Sequence, residues 1–388
     1  MPELDGLRAV AISLVMLHHF SVSAGSSTPV LVLNLVASAG WIGVDLSFVL
    51  SGFLITGICL DHRGQGFFRV FYSRRALRIL PVYSIALIGI VAVSHAVTSE
   101  PMRGIPWLLT FTTNVFLART GDWHALPSAA AHLWSLAVEE QFYLVWPLIA
   151  IVLSRRSAAL AAVIAIPAAI AFRAVAILGE SSAISAYVLM PARMDSLATG
   201  ALLAFAIRDP TTWRGVGRKL QRIGGLPLQR WIGGLLLVWV AISLWSQGGP
   251  GSVQALRIGG FSLVAGCAGV LLAATLVAEH SAPLRVVLRH PVARSIGRYS
   301  YAMYLFHLPI DVALREAGVN PSGIWQAFAF VAGASAITFG FAAVSWRVVE
   351  RPCLELKRYF PYRDLVIAGP GRPLGVARAA ISAPPTRQ

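Results

Sequence analysis

The stretch LDGLRAVAISLVMLHHF, residues 4–20, decides how this chain is read. From Ala9 to Phe20 it has the apolar continuity of a membrane helix, yet Arg8 stands at its start and His18 and His19 near its end. The eleven residues from Arg8 to His19 make about 1100° of helix, about 20° from three full turns, and a rise of about 16 Å. One helix face therefore carries a guanidinium at a membrane edge and an imidazole at depth, with His18 about 80° off that line. The pattern suits a long anionic ligand whose charged head stays at the surface while its reactive end reaches His19.

The remainder of the 388-residue chain repeats the apolar theme. Hydrophobic residues make up 56% and charged residues 13%, and the mean hydropathy is +0.69. Soluble domains are nearer a quarter charged. Apolar runs of about twenty residues match a hydrocarbon core of about 30 Å. Their continuity excludes the alternating pattern of a β-barrel. The sequence thus predicts an all-α polytopic membrane protein. Ten spans are expected near residues 7–24, 41–60, 80–98, 132–153, 157–178, 187–207, 231–247, 256–278, 299–318 and 323–345. The apolar stretch 105–118 is too short to span and is expected to be re-entrant or interfacial between spans three and four. Residues 1–352 are the expected transmembrane domain and 353–388 a cytoplasmic tail, partly disordered. No appended soluble domain, internal repeat or cleaved signal peptide is expected, since residues 7–24 lack a basic leader and are interrupted by Arg8 and two histidines.

Arginine placement supports this topology. With the N-terminus inside, the inner loops and tail hold 25 of the 32 basic residues and the outer side four, the other three lying within spans. Both termini are therefore expected in the cytoplasm, with the bundle in the plasma membrane. The net charge of +15 is split among short loops, which argues against nucleic acid as a partner. Cys59, Cys267 and Cys353 form no CxxC pair, and no His/Asp/Glu cluster has metal-ligand spacing, so neither a disulfide framework nor a metal site is expected. A GxSxG nucleophile motif is also absent. The oligomeric state stays open, a dimer being one allowed form.

A charge at the bilayer centre costs at least about 2.5–3.5 kcal/mol, so ionisable residues inside the spans mark the candidate site. They are His18, His19, Asp45, Glu139, Glu140, Arg173, Arg193, Asp195 and His307. Span positions put most of them, on five helices, at one level in the outer half of the membrane. That shared depth predicts a single polar chamber. His132, Ser135 and Glu139 share a helix face, with Gln141 and Tyr143 adding polar contacts. Arg193 and Asp195 are two residues apart and cannot face each other, so Asp45 is the expected partner of Arg193. His307 falls about 12 Å from the inner side of its span. Arg75 and Arg78 are one turn apart and can face one phosphate group, which guanidinium forks suit. Each of these has a plainer alternative: an ion pair that fixes packing, a histidine bonded within the bundle, or basic anchoring at the inner surface.

Seven stretches in order carry a family resemblance: LDGLRAVAISLVMLHHF, GVDLSFVLSGFLIT, FYSRRALRILPVY, HLWSLAVEEQFYLVWP, RMDSLATGALLA, YSYAMYLFHLP and WRVVERP. The chain resembles the membrane-bound acyltransferase-3 family, whose members acylate hydroxyls on bacterial surface glycans, lipids and some macrolide antibiotics. The family's Arg-x10-His pattern falls on Arg8 and His19, and its Arg-x-x-Arg pattern on Arg75 and Arg78. The resemblance implies an O-acyltransferase that uses acyl-CoA as co-substrate, with no resident cofactor and no metal. Acetyl is the expected acyl group, propionyl or longer being allowed. His19 is the candidate base, taking the acceptor hydroxyl proton as that oxygen attacks a thioester, or else is itself acylated as a relay. Glu139 is expected to orient His19 or to bind the acceptor. Arg8, Arg75, Arg78 and His307 are the expected acyl-CoA contacts. Asp45, His132, Ser135, Tyr143, Arg193 and Asp195 are the expected acceptor chamber. A transporter of a polar metabolite is the competing function class, disfavoured by the missing repeat and the off-centre polar layer.

Overall fold

The computed structural model describes residues 1–20, 37–98, 103–179, 183–209 and 254–362, with isolated positions between 213 and 241. Among the described residues every regular element is helical. The principal helices are α1 (Pro2–His19), α2 (Ile42–Asp61), α3 (Phe67–Ala96), α4 (Ile105–Leu109), α5 (Thr113–Thr120), α6 (Trp134–Val152) and α7 (Arg155–Leu178). They continue with α8 (Met190–Ile207), α9 (Phe261–Val277), α10 (Pro283–Leu288), α11 (Pro291–Glu316), α12 (Ile324–Ser345) and α13 (Arg351–Glu355).

Seven stretches, containing α2, α3, α6, α7, α8, α9 and α12, are long and apolar enough to cross a membrane. They coincide with seven of the ten expected spans. The segments expected as the first and ninth spans fall in the helices α1 and α11, which are more polar and are not among the seven. Glu3, Asp5 and Arg8 lie in α1, and Arg294, Arg298, Asp311 and Arg315 in α11. These two polar helices pack against each other, and α1 also packs on α2 and α10. The expected span at 231–247 falls almost wholly outside the described residues, as does the tail from residue 363.

Two helices start earlier than expected. α3 begins at Phe67, after Gly66 at φ +79°, so Arg75 and Arg78 lie within it at the one-turn spacing expected of them. Its 30 residues rise about 45 Å, more than a hydrocarbon core requires. α11 begins at Pro291, a residue suited to a first helical turn, with His290 Nδ1 accepting from the Val292 N–H. The 105–118 stretch splits into α4 and α5 at Thr110–Thr112, where Phe111 has φ +53°. The eight residues of α5 rise only about 12 Å, too little to cross the membrane.

Two devices lock the bundle. A Cβ built on Gly200 of α8 lies 1.9 Å from the Val49 carbonyl oxygen of α2, and one on Gly52 lies 1.9 Å from the Leu197 carbonyl oxygen. α2 and α8 therefore touch backbone to backbone, as small residues permit in membrane helices. Buried ion pairs add to this contact. Arg193 Nη2 sits 2.7 Å from Asp45 Oδ2, joining α8 to α2, and Arg173 Nη2 sits 2.8 Å from Asp195 Oδ2, joining α7 to α8. Ser196 Oγ donates to Asp45 at 2.6 Å, and Arg285 pairs with Glu3 to tie α10 to the start of α1.

Candidate active site

Five helices surround a cavity of about 140 Å³ that holds the predicted arginines. Arg8 and Ile12 of α1, Arg75 and Arg78 of α3, Ser47 and Ser51 of α2, and Glu139, Glu140 and Tyr143 of α6 line it, together with Ser300 and Tyr301 of α11. The Arg75 guanidinium lies 4.5 Å from the Tyr143 ring centroid, a contact that holds the cation without neutralising it. Arg8 donates to Asp5 at 3.1 Å, one turn back on the same helix. Glu139 accepts hydrogen bonds from Ser51 Oγ at 3.0 Å and from Tyr143 Oη at 2.9 Å. It therefore stands among the arginines and is not the carboxylate partner of His19. Its position on α6 points it at α2, away from the histidines.

A second cavity, of about 300 Å³, holds His18, His19 and His132 between the aromatic walls of Trp41, Trp123, Trp134 and Tyr187. His19 Nδ1 lies 2.9 Å from the Val15 carbonyl oxygen. A carbonyl only accepts, so Nδ1 carries the proton and Nε2 is the basic nitrogen of the neutral ring. His18 makes the same type of bond to the Ala37 carbonyl at 3.0 Å and meets the His19 ring edge-on at 5.2 Å. His307 is fully buried, with its ring centroid 4.9 Å from that of His19 and 4.8 Å from that of His132.

His307, expected mid-span as a donor contact, instead packs beside His19 and away from the arginine-side cavity. Because α11 begins at Pro291, His307 is sixteen residues along it, about 24 Å, which brings it level with His19. His307 lines neither cavity.

Val15, Val44 and Tyr304 line both cavities and form the thin wall between them. Tyr304 is held rigidly there. Its hydroxyl donates to the His132 carbonyl at 2.5 Å and accepts from Ser135 Oγ at 2.6 Å. Arg8 and His19 thus open from one helix onto opposite sides of this wall.

The expected single chamber is two cavities, and part of its expected lining belongs elsewhere. Asp45, Arg193 and Asp195 line neither cavity. They are engaged in the inter-helix pairs, Arg193 with Asp45 as expected and Asp195 with Arg173. Their shared depth reflects a layer of helix-to-helix contacts. His132 lines the histidine-side cavity and Tyr143 the arginine-side one, where Ser135 also lies. The residue that sequence reasoning passed over is Tyr304. Its signal was its place three residues before His307, on the same helix face. Among the described residues no group of three metal-ligating side chains is assembled.

The site is thus a basic cavity and an imidazole cavity that meet across one wall of a helical bundle. The family model described as an acyltransferase domain, of the acyltransferase-3 type, matches residues 1–347. The chain belongs to that family. It is 28% identical over 374 residues to the peptidoglycan O-acetyltransferase OatA of Listeria monocytogenes, across 91% of this chain and 55% of that protein. It is 33% identical over 180 residues to the putative peptidoglycan O-acetyltransferase YrhL of Bacillus subtilis, across 43% of this chain and 26% of that protein. A putative O-acetyltransferase of Staphylococcus aureus is 26% identical over 381 residues, across 91% of this chain and 57% of the relative. The chain spans no more than 57% of the length of these curated relatives. No solved structure matches it.

Proposed function

We propose that the protein is an integral-membrane O-acyltransferase that moves an acetyl group from acyl-CoA to a hydroxyl of a carbohydrate-containing acceptor. The observation that carries this reading is that Arg8 and His19, on one helix, line opposite cavities separated only by Val15, Val44 and Tyr304. Arg8, Arg75 and Arg78 receive the phosphates of the donor, where guanidinium forks match phosphate oxygens. The rise of about 16 Å from Arg8 to His19 is then spanned by the pantetheine arm, which delivers the thioester to the wall.

On the other side the aromatic faces of Trp41, Trp123, Trp134 and Tyr187 offer flat apolar surfaces to a sugar ring. His19 Nε2 takes the proton of the acceptor hydroxyl while that oxygen attacks the thioester carbonyl. The carbon–sulfur bond breaks, and the imidazolium returns its proton to the departing thiolate. The products are the O-acyl ester and free CoA.

The names of the relatives favour a cell-wall glycan as acceptor. Glycolipids and macrolides present the same hydroxyl chemistry and rank behind it. In this reading residues 1–352 form one catalytic unit of ten spans in the plasma membrane. Both termini and the arginine-side mouth face the cytoplasm, and α4 and α5 lie at the opposite interface.

Membranes supplied with labelled acetyl-CoA and envelope glycan fragments test the proposal. Release of free CoA and label on the glycan are expected with the wild type, and neither with His19→Ala at equal abundance. Normal turnover by His19→Ala would refute the assignment, and uptake into vesicles independent of CoA would point to a transporter.

A further inference from the structure

We propose that His307 is a positioning residue for this transfer, holding His19 in its reactive tautomer and sharing the charge that His19 acquires. The inference rests on the reading of His19 as the base. Donor and acceptor atoms can be assigned around both rings. His307 Nδ1 lies 2.6 Å from the Tyr304 carbonyl oxygen, so that nitrogen carries the proton and Nε2 keeps its lone pair. His307 Nε2 faces His19 Nδ1 at 3.4 Å, and that Nδ1 already donates to the Val15 carbonyl. The protons therefore run in one direction. Tyr304 C=O accepts from His307, and His307 Nε2 stands with the Val15 carbonyl as a second acceptor for the His19 N–H.

The carboxylate expected to orient His19 cannot do so, because Glu139 is bound to Ser51 and Tyr143 in the other cavity. His307 takes that place as a neutral group. A buried carboxylate with no counter-ion would carry the cost of a bare charge within the membrane, whereas a neutral imidazole accepts a hydrogen bond without it. The His307 side chain is fully buried, with Phe20 and His132 packed on it, and lines neither cavity. It acts on the substrates only through His19. When His19 Nε2 takes the acceptor proton, the ring becomes imidazolium, and its Nδ1–H bonds to Val15 and His307 strengthen. As the carbon–sulfur bond breaks, that proton passes from Nε2 to the thiolate and the ring returns to its starting tautomer. No proton is left on His307.

The test compares three substitutions in the full-length protein in lipid nanodiscs, assayed for CoA release from acetyl-CoA with chitotetraose as acceptor probe. Glutamine sets an amide where the His307 Nε2 stands, asparagine one where the Nδ1 stands, and leucine none. His307→Leu and His307→Asn are expected to lower kcat about 10- to 100-fold, the effect of losing one hydrogen bond to a charged group. The KM for acetyl-CoA should stay near the wild-type value, and His307→Gln should recover most of the rate. NMR of isotope-labelled histidine supplies a readout independent of turnover. His19 is protonated at Nδ1 in the wild type and in His307→Gln, and a mixture of tautomers in His307→Asn. Glutamine no better than asparagine, or a His19 tautomer indifferent to the residue at 307, would overturn the proposal. Should leucine prevent folding, the glutamine–asparagine comparison still decides. Wild-type turnover by His19→Ala would instead sink the base assignment, and the tautomer measurement would still report on the His19–His307 bond.

Discussion

Removal of the Asp45 carboxylate separates a structural role for the buried ion pairs from a role in holding the acceptor. Arg193 Nη2 lies 2.7 Å from Asp45, and both side chains are 0% exposed. Asp45→Ala leaves the guanidinium without its counter-charge and Ser196 Oγ without its acceptor. Breaking a buried pair from one side costs about 3–5 kcal/mol. The Phe261 ring, 4.3 Å from the guanidinium, is present with or without Asp45 and so drops out of the difference. At roughly 2 °C per kcal/mol for a large chain, the melting temperature should fall by about 6–10 °C. Replacing both partners, Asp45→Leu with Arg193→Met, removes the unpaired charge as well and should recover most of the loss. The assay is thermal unfolding in one fixed detergent, followed by tryptophan fluorescence, with KM for donor and acceptor measured well below the transition. A packing role predicts the fall, the recovery in the double variant and near wild-type KM values. A single variant that melts like the wild type but has a raised acceptor KM would refute it and place the pair in the acceptor site.

Other substitutions probe the remaining links. Arg78→Ala should raise the donor KM about tenfold, the effect of about 1.4 kcal/mol, with little change in acceptor KM; unchanged donor dependence in steady-state kinetics would leave this residue a topological anchor only. Val15→Trp fills the wall shared by both cavities, so acetyl transfer should be lost while calorimetry still detects CoA binding at the arginine side. Gly200→Ala sets a methyl 1.9 Å from the Val49 carbonyl and should abolish the monodisperse peak in size-exclusion chromatography. Gly89→Ala, with nothing within 4 Å, should leave that peak intact. Tyr304→Phe removes the hydroxyl between Ser135 and the His132 carbonyl and should cost about 1–3 kcal/mol in thermal unfolding.

Much of the architecture follows from periodicity and hydropathy, because a continuous apolar run is a direct response to a lipid environment. The register of Arg8 and His19 was legible for the same reason: angle and rise along one helix need no knowledge of its neighbours. The Arg193–Asp45 pair was also legible, since residues two apart on a helix cannot pair with each other. Arg173–Asp195 was not, because order along the chain does not say that α7 lies beside α8 with those faces together. The two cavities were hidden for a related reason. Depth along a helix gives a level but no azimuth, so inter-helix ion pairs and cavity-lining groups at one level look alike. His307 was misplaced by its helix start. Hydropathy marks where lipid begins, whereas α11 begins eight residues earlier, at Pro291, in a polar turn. The early start of α3 was hidden in the same way, because its basic and aromatic opening reads as interface, although the one-turn spacing of Arg75 and Arg78 was legible.

The most direct measurement is an experimental structure with a non-reactive thioether analogue of acetyl-CoA bound. The account predicts the nucleotide phosphates against Arg8, Arg75 and Arg78, the pantetheine arm running along α1, and the sulfur at the wall formed by Val15, Val44 and Tyr304, facing His19. An analogue seated anywhere that leaves Arg75 and Arg78 untouched, or with its sulfur closed off from the histidine side, would contradict it.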